Sequence, residues 1–580
     1  MIDINMKWVE RLHAPRYIWS QIAALNLQRG ILCREEKSQQ RLLTWDVETG
    51  ETRPLTPPVD YQLNATLSQD GEFVTYLVPH PTHADVYQYV RVPFGGGDPQ
   101  PIALTALMNA SPHIEEASGR IGFTAVTGNG YSVQIWTPDG KKPLFSYESE
   151  VLAYGPSLSF DGKIAVVATM QSAESETTHL EAYNIDTGVK IRQLALRDTP
   201  LEAVKFAPVL GNTRLMVQVR EEMVTRSLIW DAEKGGFFGP NYGHAQSWDW
   251  INARDNREDI LTYNREAEIF TFYLENDEDD IPLYAGRGHI LNAYMLSPTQ
   301  LLFHYEDIHG ITLKSVGNIR NLALKTQVKD IKITLPQQSI VNSDILSFGV
   351  QPFPSWRTNS TQTSKINFRE NASRVIGVTL NDENPSYAEI GAWVHQGVTY
   401  INAHLDEGRL HTPIWSEALE IIARASKHLE NKLSPLPLLT AHNMGAALAL
   451  VTLHHDSSLW TGGIIVRPIL DWEHLYESVA PPEKAMMRLW FGGSPTERPD
   501  AWREASPLRQ TTPLSVPVKL LYHPYDSLTP IQHIQTYAAN NPTVELIDIS
   551  RDMVGPAHEQ QERLITRMLQ VGLPLLQPGT

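Results

Sequence analysis

Two short signatures alternate along the chain up to about residue 330, and a chain that repeats in this way is built from copies of one supersecondary unit. The first signature joins two apolar runs through an Asp or Asn and a nearby Gly. Leu42 to Thr56 reads LLTWDVETGETRPLT, a strand, a tight turn and a strand. The same order recurs at Leu180 to Leu196 around Asn184 and Gly188, at Ser227 to Phe238 around Asp231 and Gly235, and at Ile135 to Phe145 around Asp139-Gly140. The second signature is a polar turn that leads into an alternating strand. Leu67 to Leu77 reads LSQDGEFVTYL and Leu158 to Ala168 reads LSFDGKIAVVA, with weaker copies at Phe206 to Val217 and Leu296 to His304. The pair recurs about every 40 to 45 residues, the length of one four-stranded blade. This predicts a β-propeller of about seven blades over residues 20–326.

Composition narrows the partners. The formal net charge is -18, from 48 basic and 66 acidic residues. Nucleic acid and an anionic membrane surface both need clustered Lys and Arg, so neither is an expected partner. The single cysteine, Cys33, allows no intramolecular disulfide and fits a reducing, cytoplasmic setting. Met1 to Arg16 lacks the apolar core of a signal peptide, and no run of about 18 apolar residues occurs. The propeller histidines His80, His83, His113 and His244 show no metal-ligand spacing. Gly95-Gly96-Gly97 lacks the strand-to-helix context and the Lys of a phosphate loop. No metal and no cofactor are expected.

After residue 327 the pattern changes to strands alternating with helices, the mark of a doubly wound, mostly parallel sheet. Strands are expected at Arg374 to Leu380, Val398 to Ala403, Leu436 to Thr440, Ile464 to Val466, Val518 to Tyr522 and Val544 to Ile549. Helices are expected at Tyr387 to His395, Trp415 to Leu433, Gly445 to His455 and Gln560 to Leu575. Ile331 to Phe353 has room for two more strands, and Trp356 to Ser373 reads as a loop. Residues 1–19 form an N-terminal segment expected to pack on this second domain, residues 327–580.

Leu438 to Leu450, LLTAHNMGAALAL, has the strand, sharp turn and Ala/Gly-rich helix start of the G-x-S-x-G elbow on which an α/β-hydrolase carries its nucleophile. Around it the order of motifs resembles the prolyl oligopeptidase family, closest to its acylaminoacyl-peptidase and dipeptidyl-peptidase branches. The carrying segments are WFGGSPTERPDAWREASPL from Trp490, LLYHPYDSLTP from Leu520, and IDISRDMVGPAHEQQERLITRML from Ile547. The resemblance implies a propeller followed by an α/β-hydrolase domain, with the site in the cleft between them.

The same resemblance implies a damaged site. The nucleophile position falls on Asn443, whose amide has no ionisable proton to activate. The acid falls on Asp526, although its spacing from His523 is one residue shorter than in the family. The histidine falls on Val554. His442 and His558 stand as substitutes for the missing base. The oxyanion side maps to Met444, next to the nucleophile position, and to Asp382-Glu383-Asn384, where the family has H-G-G. Two carboxylates there oppose a tetrahedral anion. The N-P-R-G stretch falls on Asn402 to Leu405 and keeps only the Asn.

The expectation is a pseudo-peptidase that binds a peptide, a small molecule or a partner protein without cutting it. Two alternatives stand beside it. One is a non-hydrolytic isomerase, cyclase or lyase that uses Asp526, Asp382, Glu383, His442 or His558. The other is a serine hydrolase whose nucleophile lies elsewhere, although Ser416, Ser434 and Ser494 are all off the elbow. Association of copies through the hydrolase domain is a further implication of the resemblance.

Overall fold

The structure, a computed structural model, describes residues 4–576. Residues 103–113, 171–177, 251–259, 318–326, 332–340, 359–372, 381–386 and 406–435 are outside the described set, as are shorter breaks of four residues or fewer. Strands between residues 305 and 372 are described by their backbone alone.

Seven four-stranded antiparallel sheets follow one another from Arg16 to Ile331. Each is a simple meander of consecutive strands, and among the described residues no blade takes a strand from the other end of the chain. The span is wider than the 20–326 expected. The first inner strand, Arg16–Ile22, reaches back through Tyr17 and Trp19, and Gln327–Ile331 pairs with Gly310–Gly317 as the last outer strand.

The two signatures occupy fixed places in the meander. The second one turns the first strand into the second: Ser68 Oγ donates to Asp70 (2.6 Å) and accepts from Phe73 N (2.9 Å). Two blades on, Ser159 Oγ donates to Asp161 (2.8 Å) and accepts from Ile164 N (2.9 Å). The glycines that close these turns, Gly71 and Gly162, have φ of 73° and 68°, a region where Gly is at ease and other residues are strained. The first signature turns the third strand into the fourth. Asp46, Asn184 and Asp231 each accept a backbone N–H three residues on, at 2.8, 3.0 and 2.8 Å.

The first strands of the seven blades touch in sequence and close into a ring, the last against the first. An apolar cluster fills each blade interface. The closing seam has no shared strand. It is held by Leu302 packed among Tyr17, Leu32, Leu43 and Trp45, and by Asn292 Nδ2 and Tyr294 OH donating to Ser20 O.

The second domain is one eight-stranded sheet: β1 (Val341–Phe348), β2 (Gln351–Thr358), β3 (Arg374–Leu380), β4 (Thr399–Leu405), β5 (Leu438–His442), β6 (Gly462–Val466), β7 (Val518–Tyr522) and β8 (Val544–Asp548). Their order is 1-2-4-3-5-6-7-8, antiparallel through β1, β2 and β4 and parallel beyond. Trp356 to Thr358, read as loop from sequence, belongs to β2, because it pairs with Ser343 to Val341 of β1 and Trp356 also pairs with Tyr400 of β4. The helix expected at Trp415 to Leu433 lies outside the described residues.

The helices that matter here are α1 (Tyr387–His395), α2 (Asn443–His455) and α3 (Ala557–Leu576). Alternation along each strand sends Leu439, Ala441 and Ile465 to one core with α2, Trp472 and Trp502. It sends Leu438, Ile464 and Val466 to the other core with α1, α3 and Trp8. The N-terminal segment enters this second core through Trp8, with Ile4, Val9 and Leu12 around it. Gly572 lets α3 lie close on the sheet, since a Cβ there would meet Ile464 at 2.2 Å and Trp393 at 2.6 Å. Among the described residues no helix is long and apolar enough to cross a membrane.

Candidate functional site

The elbow is present in the backbone. β5 ends at His442 and α2 begins at Asn443 with no residue between. Asn443 has φ of 43°, the left-handed region that a short polar residue tolerates and that an elbow demands. Behind it Gly445, Ala446 and Ala447 are buried, and their small size lets α2 start directly against the sheet. No side chain caps α2, so the N–H groups of its first turn, Met444 among them, have no acceptor in the helix. The carboxamide of Asn443 makes no hydrogen bond among the described residues.

Asp526 sits on the loop after β7 with only 4% of its side chain exposed. It accepts Leu528 N at 3.0 Å and Arg467 Nε at 2.7 Å. Arg467 is the first residue past β6 and also has a left-handed φ, 48°. In a triad the buried acid orients an imidazole. Here the same carboxylate holds a guanidinium.

The residue matched to the family's histidine from the sequence, Val554, stands at the surface. Val554 is 66% exposed, and its carbonyl accepts from Arg563. The buried carboxylate of that loop, Asp552, is turned away to Arg567 Nε at 3.2 Å. His558 stands on the first turn of α3, where its ring meets His13 of the N-terminal segment edge-on at 5.2 Å. His13 in turn bonds Glu562 at 2.9 Å. The structure thus brings His558 to the N-terminal segment, and among the described residues Asp526 bonds no imidazole.

His442 has a partner that the sequence reading missed. Its Nε2 lies 2.8 Å from Oε2 of Glu389, a carboxylate 5% exposed on α1. The available signal was Glu389 itself, the one acidic residue in the apolar helix YAEIGAWVH. Tyr400 shares this interior: burial, and then the Glu389 carboxylate, hold its phenol well above its ordinary value. Asp382, Glu383 and Asn384 lie outside the described residues, as does the side chain of His404. Asn402 is buried in β4. Among the described residues no three metal-ligating side chains converge.

The described site therefore brings together Asn443 on the elbow, Asp526 bound to Arg467, and the His442–Glu389 pair.

No protein-family model matches the sequence, and no curated protein matches it. Solved structures do. An acylaminoacyl peptidase from Pyrococcus horikoshii is 12% identical, with a TM-score of 0.72 over 100% of this chain and 99% of its own. A puromycin-hydrolyzing peptidase from Mycobacterium tuberculosis is 13% identical, with a TM-score of 0.69 over 99% and 95%. Prolyl oligopeptidase B from Galerina marginata is 12% identical, with a TM-score of 0.68 over 97% and 90%. At such identities the likeness speaks for fold alone, and it runs from one end of the chain to the other. The chain is built on the architecture of the prolyl oligopeptidase family, a β-propeller followed by an α/β-hydrolase domain.

Proposed function

We propose that this protein is a pseudo-peptidase that binds peptides and does not hydrolyse them. One observation carries the reading: Asn443 stands on an intact elbow while Asp526 is committed to Arg467. A missing serine alone would leave an acid waiting for its base. Here the acid has another occupant, so two members of the triad are gone and the third is engaged. Loss of a triad member removes several orders of magnitude in rate. Peptide as the ligand class follows from the similar structures, one of which is bound to a 35mer hydrolysis and macrocyclization substrate. The test has two parts. A fluorophosphonate should leave the native protein unlabelled, and a peptide mixture should be retained on dialysis and recovered uncut. Labelling of the native protein would mean a working nucleophile elsewhere.

A second reading, a non-hydrolytic acid–base enzyme, draws on the His442–Glu389 pair. A buried carboxylate that fixes one imidazole nitrogen is how a general base is oriented. It predicts a bound peptide that returns at unchanged length but carries solvent deuterium on carbon. His442→Gln would abolish that exchange.

A further inference from the structure

Two ion pairs flank the elbow and share one design. In each the carboxylate is buried, Asp526 at 4% and Glu389 at 5%, and the cationic partner is about a third exposed, Arg467 at 34% and His442 at 32%. Their places are set by register. His442 pairs with Val466 across β5 and β6, so the next residues, Asn443 and Arg467, leave adjacent parallel strands at the same level. Neighbouring strands lie about 4.8 Å apart.

Arg467 spends only its Nε on Asp526. Among the described residues nothing accepts from its terminal nitrogens, and nothing bonds the carboxamide of Asn443. The unspent guanidinium edge of Arg467 and the carboxamide of Asn443 thus belong to residues that leave neighbouring strand ends side by side at the elbow. A peptide carbonyl offers one oxygen to such a fork. A carboxylate offers two in matching geometry.

We propose that the elbow is a carboxylate subsite, which takes the free C-terminal carboxylate of a peptide instead of an internal peptide bond. The inference rests on the peptide-binding reading above and names its ligand class. The bound group is the one that hydrolysis at this position would have produced. Charges on the surrounding elements temper it. Asp526 and Glu389 already neutralise their partners.

The full-length protein is dialysed against an equimolar mixture of random hexapeptides made as free acids and as C-terminal amides, with retention read by mass spectrometry. Acids should be retained about tenfold over amides, the size of one good charge-assisted contact. Arg467→Lys keeps a cation beside Asp526 but loses the fork, and should erase the preference. Asn443→Ala, which disturbs no ion pair, should reduce it. Equal retention of acids and amides by the native protein overturns the carboxylate subsite and leaves peptide binding standing. An undiminished preference in both variants also overturns it. Retention of neither class overturns both readings.

Discussion

The turns of the propeller and the elbow of the hydrolase domain are both sharp reversals, yet they are held in different ways. At Ser68-Asp70 and Ser159-Asp161 the turn is made by its own side chains, which repeat the same hydrogen bonds in two blades. Sequence, backbone and bonding agree there because each depends on the others. At the elbow the left-handed Asn443 is held from behind, by the buried Gly445, Ala446 and Ala447 and by β5 inside the sheet. The side chain at the tip makes no hydrogen bond among the described residues. A residue can therefore be replaced at the elbow without loss of a bond that holds the turn, whereas replacing a propeller-turn serine removes two hydrogen bonds from the turn itself.

The largest effect that would sharpen this contrast is chemical. Restoring Asn443→Ser and Val554→His should give almost no fluorophosphonate labelling, because Asp526 still holds Arg467. Adding Arg467→Ala should raise labelling by at least an order of magnitude. Full labelling of the double variant would show that the arginine is no obstacle.

The next effect is on the propeller seam. His304 lies fully buried beside Tyr17, its ring nitrogens without partners among the described residues, and burial pushes its pKa down to about 4. Above about pH 6.5 the ring is neutral in both folded and unfolded chains and has no effect on stability. As the pH falls toward 4 the unfolded chain takes up the proton and the folded one does not, so stability falls, by about 3 kcal/mol at the end of that window. His304→Leu should flatten this part of a melting-temperature profile. An unchanged profile would place the acid sensitivity elsewhere.

Packing of the hydrolase domain is tested by Gly572→Ala, which drives a methyl into Ile464 and Trp393. A loss of about 2 kcal/mol in denaturant unfolding is expected from overpacking of this kind. The smallest effect belongs to the propeller turn. Ser159→Ala removes the hydroxyl that serves both Asp161 and Ile164 N and should cost about 1 kcal/mol. If the Ser159 change proved as costly as the Gly572 change, the turn would be far more than a local feature.

Much of this architecture was legible beforehand. The Asp–Gly and Ser-x-Asp-Gly signatures marked the blades because turn chemistry is local and Gly is needed at positive φ. Strands Arg374–Leu380 and Val518–Tyr522 and helix Tyr387–His395 stand as expected, since short apolar runs between polar breaks leave little choice. Trp356 to Thr358 was misread as loop because its polar residues show no alternation, and only the pairing with β1, and of Trp356 with β4, makes it a strand. Glu389 was passed over for a similar reason: nothing near it in the chain says that it will meet His442.

The residue types at the elbow, the acid position and the histidine position are matters of sequence. Asn443 offers no hydroxyl or thiol, and the isopropyl group of Val554 accepts no proton, whatever the fold. The sequence also dictates the repeated unit, through side chains that bond to their own turns. Which charges meet is decided only in three dimensions. Asp526 with Arg467, His442 with Glu389 and His558 with His13 are each brought together by elements distant in the chain. A carboxylate's partner depends on which cation the packed sheet and helices place within about 3 Å of it, and that is a property of the assembled core.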